Sequence, residues 1–166
     1  MGFWEKVLPG YRGYREREDA RNSDKKLRAW LSERLRQSRF RYDDIKADLT
    51  RRGNLELMNP AEKVTQLLGR VTDRIRYANY GFSGRWFGKD KIDADRLKRV
   101  EEFDKGLVEL VEQVEKDINA LALFDGDADI SAALGTLAGQ LNSIEQHLQR
   151  REEILRELGG TEPDNA

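Results

Sequence analysis

Residues 130–158 read ISAALGTLAGQLNSIEQHLQRREEILREL. Stepping from Ile130 by four and then three residues lands on Leu134, Leu137, Leu141, Ile144, Leu148, Arg151, Leu155 and Leu158. That rhythm keeps one side of an α-helix against a partner along its whole length, which is the pattern of a coiled-coil-like seam. The alternation of apolar and polar residues that marks a strand is absent here and in the rest of the chain. The predicted fold is therefore all-α: an elongated antiparallel helical bundle of about four helices.

The segments upstream read the same way. Leu97, Val100, Phe103, Leu107, Val111, Val114, Ile118 and Leu121 form a near-heptad stripe. This third helix runs to about Phe124, with Asp90 or Asp93 as its cap and Asp125-Gly126-Asp127 as the turn beyond it. The second helix is predicted to start at Asn59-Pro60, with Glu62 completing a capping-box-like pattern. Val64, Leu67, Leu68, Val71, Ile75 and Ala78 form its stripe, and Gly81 and Gly84 break it. The first helix spans about Tyr14 to Arg51, with Leu27, Trp30, Leu31, Leu35, Tyr42, Ile45 and Leu49 inward and Gly53-Asn54 as its stop.

At ~1.5 Å per residue the third and fourth helices span about 45 Å, the first somewhat more and the second about 30 Å. The short second helix leaves a flank to be filled. The aromatic-rich Tyr80–Asp90 loop and the N-terminal Phe3-Trp4 segment are the candidate fillers. Residues 1–158 are read as one domain, with 1–13 an N-terminal aromatic segment, and the polar end 159–166 is expected to be disordered.

Composition narrows the chemistry. Charged residues make up 37% of the 166, against about 25% in an ordinary domain, which suits long solvated helices. Cysteine is absent and histidine occurs once, so disulfides, thiolate metal sites and any site needing two histidines are excluded. The net charge of −1 conceals two halves of opposite sign. Residues 1–90 carry 21 Lys/Arg and 13 Asp/Glu, a net of +8, whereas 91–166 carry 9 and 18, a net of −9. Opposite halves of one chain are expected to pair with each other across the fold.

No constellation for catalysis emerges. His147 follows Glu145 by two residues and not by the three of a di-iron helix motif. Asp125, Asp127 and Asp129 resemble the start of a calcium loop, but Ile130 and Thr136 stand where that loop needs Gly and Glu. Gly81–Lys89 lacks the spacing and the following Ser/Thr of a phosphate loop. No catalytic, cofactor or metal residue is expected, and the chain reads as a cytoplasmic, non-enzymatic scaffold or adaptor that binds another protein. The preferred contact residues are Tyr80, Phe82, Arg85, Trp86, Phe87 and Lys89, together with the Arg-rich first helix.

Ser131, Gly135, Gly139 and Ser143 add a ridge of small residues four apart. Helix-interior glycines cost ~1 kcal/mol each relative to Ala, so close approach of another helix is expected there, from this chain or from a second copy in a homo-oligomer. The alternative function is contact with an anionic membrane surface through Phe3, Trp4, Val7 and Leu8, flanked by Lys6, Arg12 and Arg15. Met1–Leu8 resembles the amphipathic start of phage-shock-type membrane-remodelling proteins, a family whose long hairpin the short second helix does not match. A further alternative is nucleic-acid binding through Arg28, Arg34, Arg36, Arg39, Arg41, Arg51 and Arg52. The interspersed Glu33, Asp43, Asp44 and Asp48 make internal pairing the stronger expectation.

Overall fold

The computed structural model describes residues 2–11, 17–77 and 94–158, and within these it is helical with no strand. A five-residue helix α1 (Phe3–Val7) precedes four long ones: α2 (Arg17–Arg52), α3 (Met58–Tyr77), α4 (Ala94–Leu121) and α5 (Asp127–Leu158). α2 and α3 form one antiparallel hairpin and α4 and α5 a second. The hairpins lie side by side, α2 against α4 and α3 against α5, so that both turns reach the same end of the bundle. No helix among the described residues is long and apolar enough to cross a membrane.

Each helix contributes one stripe to a common core. Leu31, Leu35 and Tyr42 of α2, Val64, Leu68 and Val71 of α3, Val108, Val111 and Val114 of α4, and Leu137, Leu141 and Ile144 of α5 are fully buried. Burial is worth ~1.5–3 kcal/mol for each large apolar side chain, and this is what holds the rods together. Tyr42 can join the core because its hydroxyl donates to the Ala61 carbonyl at 2.8 Å. Burial also pushes its ionisation up from the ordinary tyrosine range, so it stays a neutral donor.

Helix ends follow local chemistry. Gly53 stops α2 at φ +78°, a left-handed conformation that suits glycine. The next helix starts earlier than the Asn59-Pro60 signal predicts. Asn54 accepts from the Glu56 amide and caps a 3-10 turn, Leu55–Leu57, that runs straight into α3 at Met58. Pro60 falls in the first turn of α3, where no intrahelical donor is needed. Glu62, expected to cap, pairs with Lys46 of α2 instead. α4 ends at Leu121, three residues before Phe124, and its N-terminal cap lies outside the described residues.

Trp30 and Ile45, expected inward, are only partly buried against the core. Phe103 is only half-buried, lying against the His147 ring at 4.8 Å between centroids. The inward position in that turn belongs to Asp104, which is fully buried. The small-residue ridge receives no partner from the described residues of this chain. Ser131, Gly135, Gly139 and Ser143 are all exposed, and a Cβ on Gly135 or Gly139 would meet nothing within 4 Å. No described helix of this chain approaches the ridge, because the α5 seam faces the other way.

The glycine that does serve packing is Gly106 of α4. A Cβ there would lie 3.0 Å from His147 Cε1, and His147 Nε2 donates to the Phe103 carbonyl at 2.5 Å. We therefore expect Gly135→Ala and Gly139→Ala each to stabilise the protein by about 1 kcal/mol in thermal denaturation. Gly106→Ala should fall short of that gain or destabilise, since the His147 ring must move. Equal gains at all three positions would contradict this packing.

Candidate functional site

Three of the five large apolar side chains that stand exposed among the described residues gather at the turn end of the bundle. Leu55 and Leu123 are each 82% exposed and Phe124 is exposed as well. Leu55 belongs to the 3-10 turn between α2 and α3. Leu123 and Phe124 belong to the turn between α4 and α5, which closes with the Leu123 amide donating to Ala120 and the Phe124 amide to Leu121. Asn54 Nδ2 donates to Asp127 Oδ2 at 2.6 Å and ties the two turns side by side.

Charge divides this end face. Arg51 and Arg52, the last residues of α2, lie on one half together with Glu56 of the 3-10 turn, and all three are exposed. Asp125, Asp127 and Asp129, also exposed, lie on the other half at the start of α5. Arg51 is paired with Asp48. Arg52, Asp125 and Asp129 have no ion-pair partner among the described residues. The acidic trio forms the turn and the first turn of α5, where carboxylates favour the helix N-terminus. Among the described residues no group of His, Cys, Asp or Glu is arranged to hold a metal ion.

The preferred contact residues Tyr80, Phe82, Arg85, Trp86, Phe87 and Lys89 lie outside the described residues. The N-terminal segment is folded onto the opposite end of the bundle. Leu8 and Tyr11 are buried, while Phe3, Trp4 and Val7 are half-buried against the core. Trp4 stacks on Tyr11 at 4.3 Å, Lys105 sits 5.0 Å over the Phe3 ring, and Lys26 Nζ donates to the Gly10 carbonyl at 3.3 Å. The proposed membrane wedge is thus held on the protein, with Leu8 inside it.

The Arg-rich helix is largely engaged within the chain. Arg34 forks onto Glu115 and also reaches Glu112 at 3.3 Å, while Arg36 pairs with Glu33 at 2.7 Å. The hydrogen bond from Arg36 holds the Glu33 carboxyl down at about 2. Arg39 approaches Asp43 at 3.9 Å, and Arg28 pairs with Asp24 at 2.9 Å. Arg70 to Glu145 and Arg74 to Glu152 continue the pairing from α3 to α5. The positive and negative halves of the chain do meet across the fold. An open groove of about 530 Å³ runs between α2 and α4, lined by Arg34, Gln37, Arg41, Asp44 and Asn119 among others.

Sequence reasoning missed a buried ionic cluster. Arg151 Nε donates to Asp104 Oδ1 at 2.6 Å, and Nη2 donates to Asp24 Oδ1 at 2.5 Å. All three side chains are under 10% exposed. Arg28 adds its own bond to the far oxygen of Asp24. The signal was present: Arg151 occupies a seam position otherwise held by leucine and isoleucine, and a guanidinium there demands carboxylates on the facing helices.

No family model, no curated protein and no solved structure matches this chain. Fold and surface define it as a two-hairpin helical bundle with an apolar, charge-divided end. The ionic cluster yields a direct test. Arg151→Leu, which removes the guanidinium that Asp24 and Asp104 share in the core, should cost about 3–5 kcal/mol in urea denaturation. Adding Asp24→Asn and Asp104→Asn should recover part of that loss. A single-variant loss below about 1 kcal/mol would show that Arg151 is not buried between these carboxylates.

Proposed function

We propose that this protein is a non-enzymatic helical scaffold or adaptor whose working surface is the turn end of the bundle. The observation that carries this reading is the placement of Leu55, Leu123 and Phe124 on adjoining turns, open to solvent, in a molecule whose helices otherwise turn their apolar stripes inward. Water-exposed leucines at more than 80% contribute nothing to the fold, and clustered exposed apolar side chains are the usual mark of a protein–protein contact. The unpaired charges around them supply orientation. The Tyr80–Lys89 loop remains a proposed second contact element of the same scaffold.

The bundle supports such a role mechanically. Long helices with a packed core hold the two turns at a fixed separation, so a partner meets a surface that is already in place and little ordering entropy is lost on binding. The internal ion pairs of α2 leave few free cations for a phosphate backbone, which favours protein over nucleic acid as the partner.

Leu55→Ser with Leu123→Ser should leave helicity and melting temperature unchanged, because neither side chain is packed. Affinity capture with the native and doubly substituted chains, compared by mass spectrometry, should show at least one protein enriched by the first and lost by the second. Identical sets from both would contradict the end face as the working surface.

A further inference from the structure

We propose that the turn end of the bundle binds the turn end of a second copy of this chain, the two bundles meeting end to end about a two-fold axis. This rests on the end face being an interaction surface and names its partner. Charge is divided across this face. Among the described residues Arg52 has no ion-pair partner on the α2 side of the face and Asp125 none on the α4–α5 side, with Leu55 and Leu123 belonging to the same two turns. A two-fold axis through the middle of the face exchanges its halves. It therefore sets Arg52 of each copy over Asp125 of the other and closes leucine on leucine between them. A self-complementary patch of this kind is what an isologous dimer requires.

Other occupants fit less well. An anionic bilayer would meet the exposed Asp125 and Asp129 carboxylates where Leu123 would have to enter, and supplies no cation to face them. An uncharged apolar partner would cover Arg52 and Asp125 without giving either a counter-charge.

The contact is small. With neighbouring helices 8–10 Å apart, the end of a four-helix bundle is only about 20 Å across, which buries less than the ~800 Å² per partner of a standard interface. Association is consequently weak and concentration-dependent. Salt should weaken it further, because both ion pairs lie at an exposed rim.

Sedimentation velocity on the full chain, from micromolar to several hundred micromolar, tests this directly. The wild type should shift from monomer toward dimer, and Leu123→Asp should remain monomeric at every concentration while melting like the wild type. Arg52→Glu and Asp125→Arg should each weaken association at least tenfold, and an equimolar mixture of these two variants should regain it, because unlike charges then face each other in both pairs. A wild type that stays monomeric throughout would overturn the proposal, as would a mixture that fails to recover or a Leu123→Asp chain that still dimerises. Leu123-dependent pelleting with phosphatidylserine-containing vesicles would overturn it in favour of a lipid surface. If the wild type is monomeric yet the Leu55/Leu123 double variant still loses a captured protein, self-pairing fails while the scaffold reading stands.

Discussion

A guanidinium cannot be left alone among leucines, and Arg151 sits in a seam built of them. Its burial requires carboxylates to converge from the facing helices, and they do: Asp104 from α4 and Asp24 from α2. Apolar stripes alone tolerate sliding, because leucine packs against leucine at more than one register. A buried charge does not, since slipping any of the three helices by a turn would expose it to hydrocarbon without a partner. The cluster therefore does for register what the stripes do for cohesion. It joins the first hairpin to the second at the end of the molecule away from the turns.

That register has its consequence at the other end. With α2, α4 and α5 held level, the turn after α2 and the turn after α4 arrive side by side, and Asn54 reaches Asp127. Leu55 and Leu123 belong to those turns, outside every stripe, so nothing in the bundle covers them. The charge of the chain is sorted along with the helices. Arg34, Arg70 and Arg74 of the first half meet acidic residues of the second across the α2–α4 and α3–α5 contacts, while Arg28, Arg36, Arg39 and Arg51 pair within α2. At the end face, Arg52 and Asp125 lie on separate halves, with no ion-pair partner among the described residues. The surface that remains after folding is thus specific in both apolar and charged character.

Much of the architecture could be read from residues 130–158 and the stripes upstream, because burial of one helix face imposes a period that survives in the sequence. Ends were harder. Asn59-Pro60 is a sound start signal, yet Asn54 caps a 3-10 turn that begins the second hairpin arm sooner. The choice between Phe103 and Asp104 went wrong for a different reason. Hydrophobicity favours the phenylalanine, and only the distant Arg151 makes the aspartate the inward residue. The spacing of Ser131, Gly135, Gly139 and Ser143 shows that small residues share a face, and within the described residues nothing packs on it, which leaves approach by a second copy as the remaining half of that expectation. Leu55, Leu123 and Phe124 fitted no stripe, but neither did Phe40, Leu57 or Val108, of which the last two are core, so the misfit alone does not mark the end face. The Tyr80–Lys89 contact residues fall outside the described residues.

The central claim is that two hairpins are locked level, so that their turns form one continuous end face. The chain has no cysteine, which makes spin labelling at chosen pairs clean. Double electron–electron resonance between labels at positions 56 and 125, one on each turn, reads the relation directly in dilute full-length protein. The account predicts a single narrow distance at the short end of the measurable range. A broad or multimodal distribution, or one centred near the length of a helix, would contradict it.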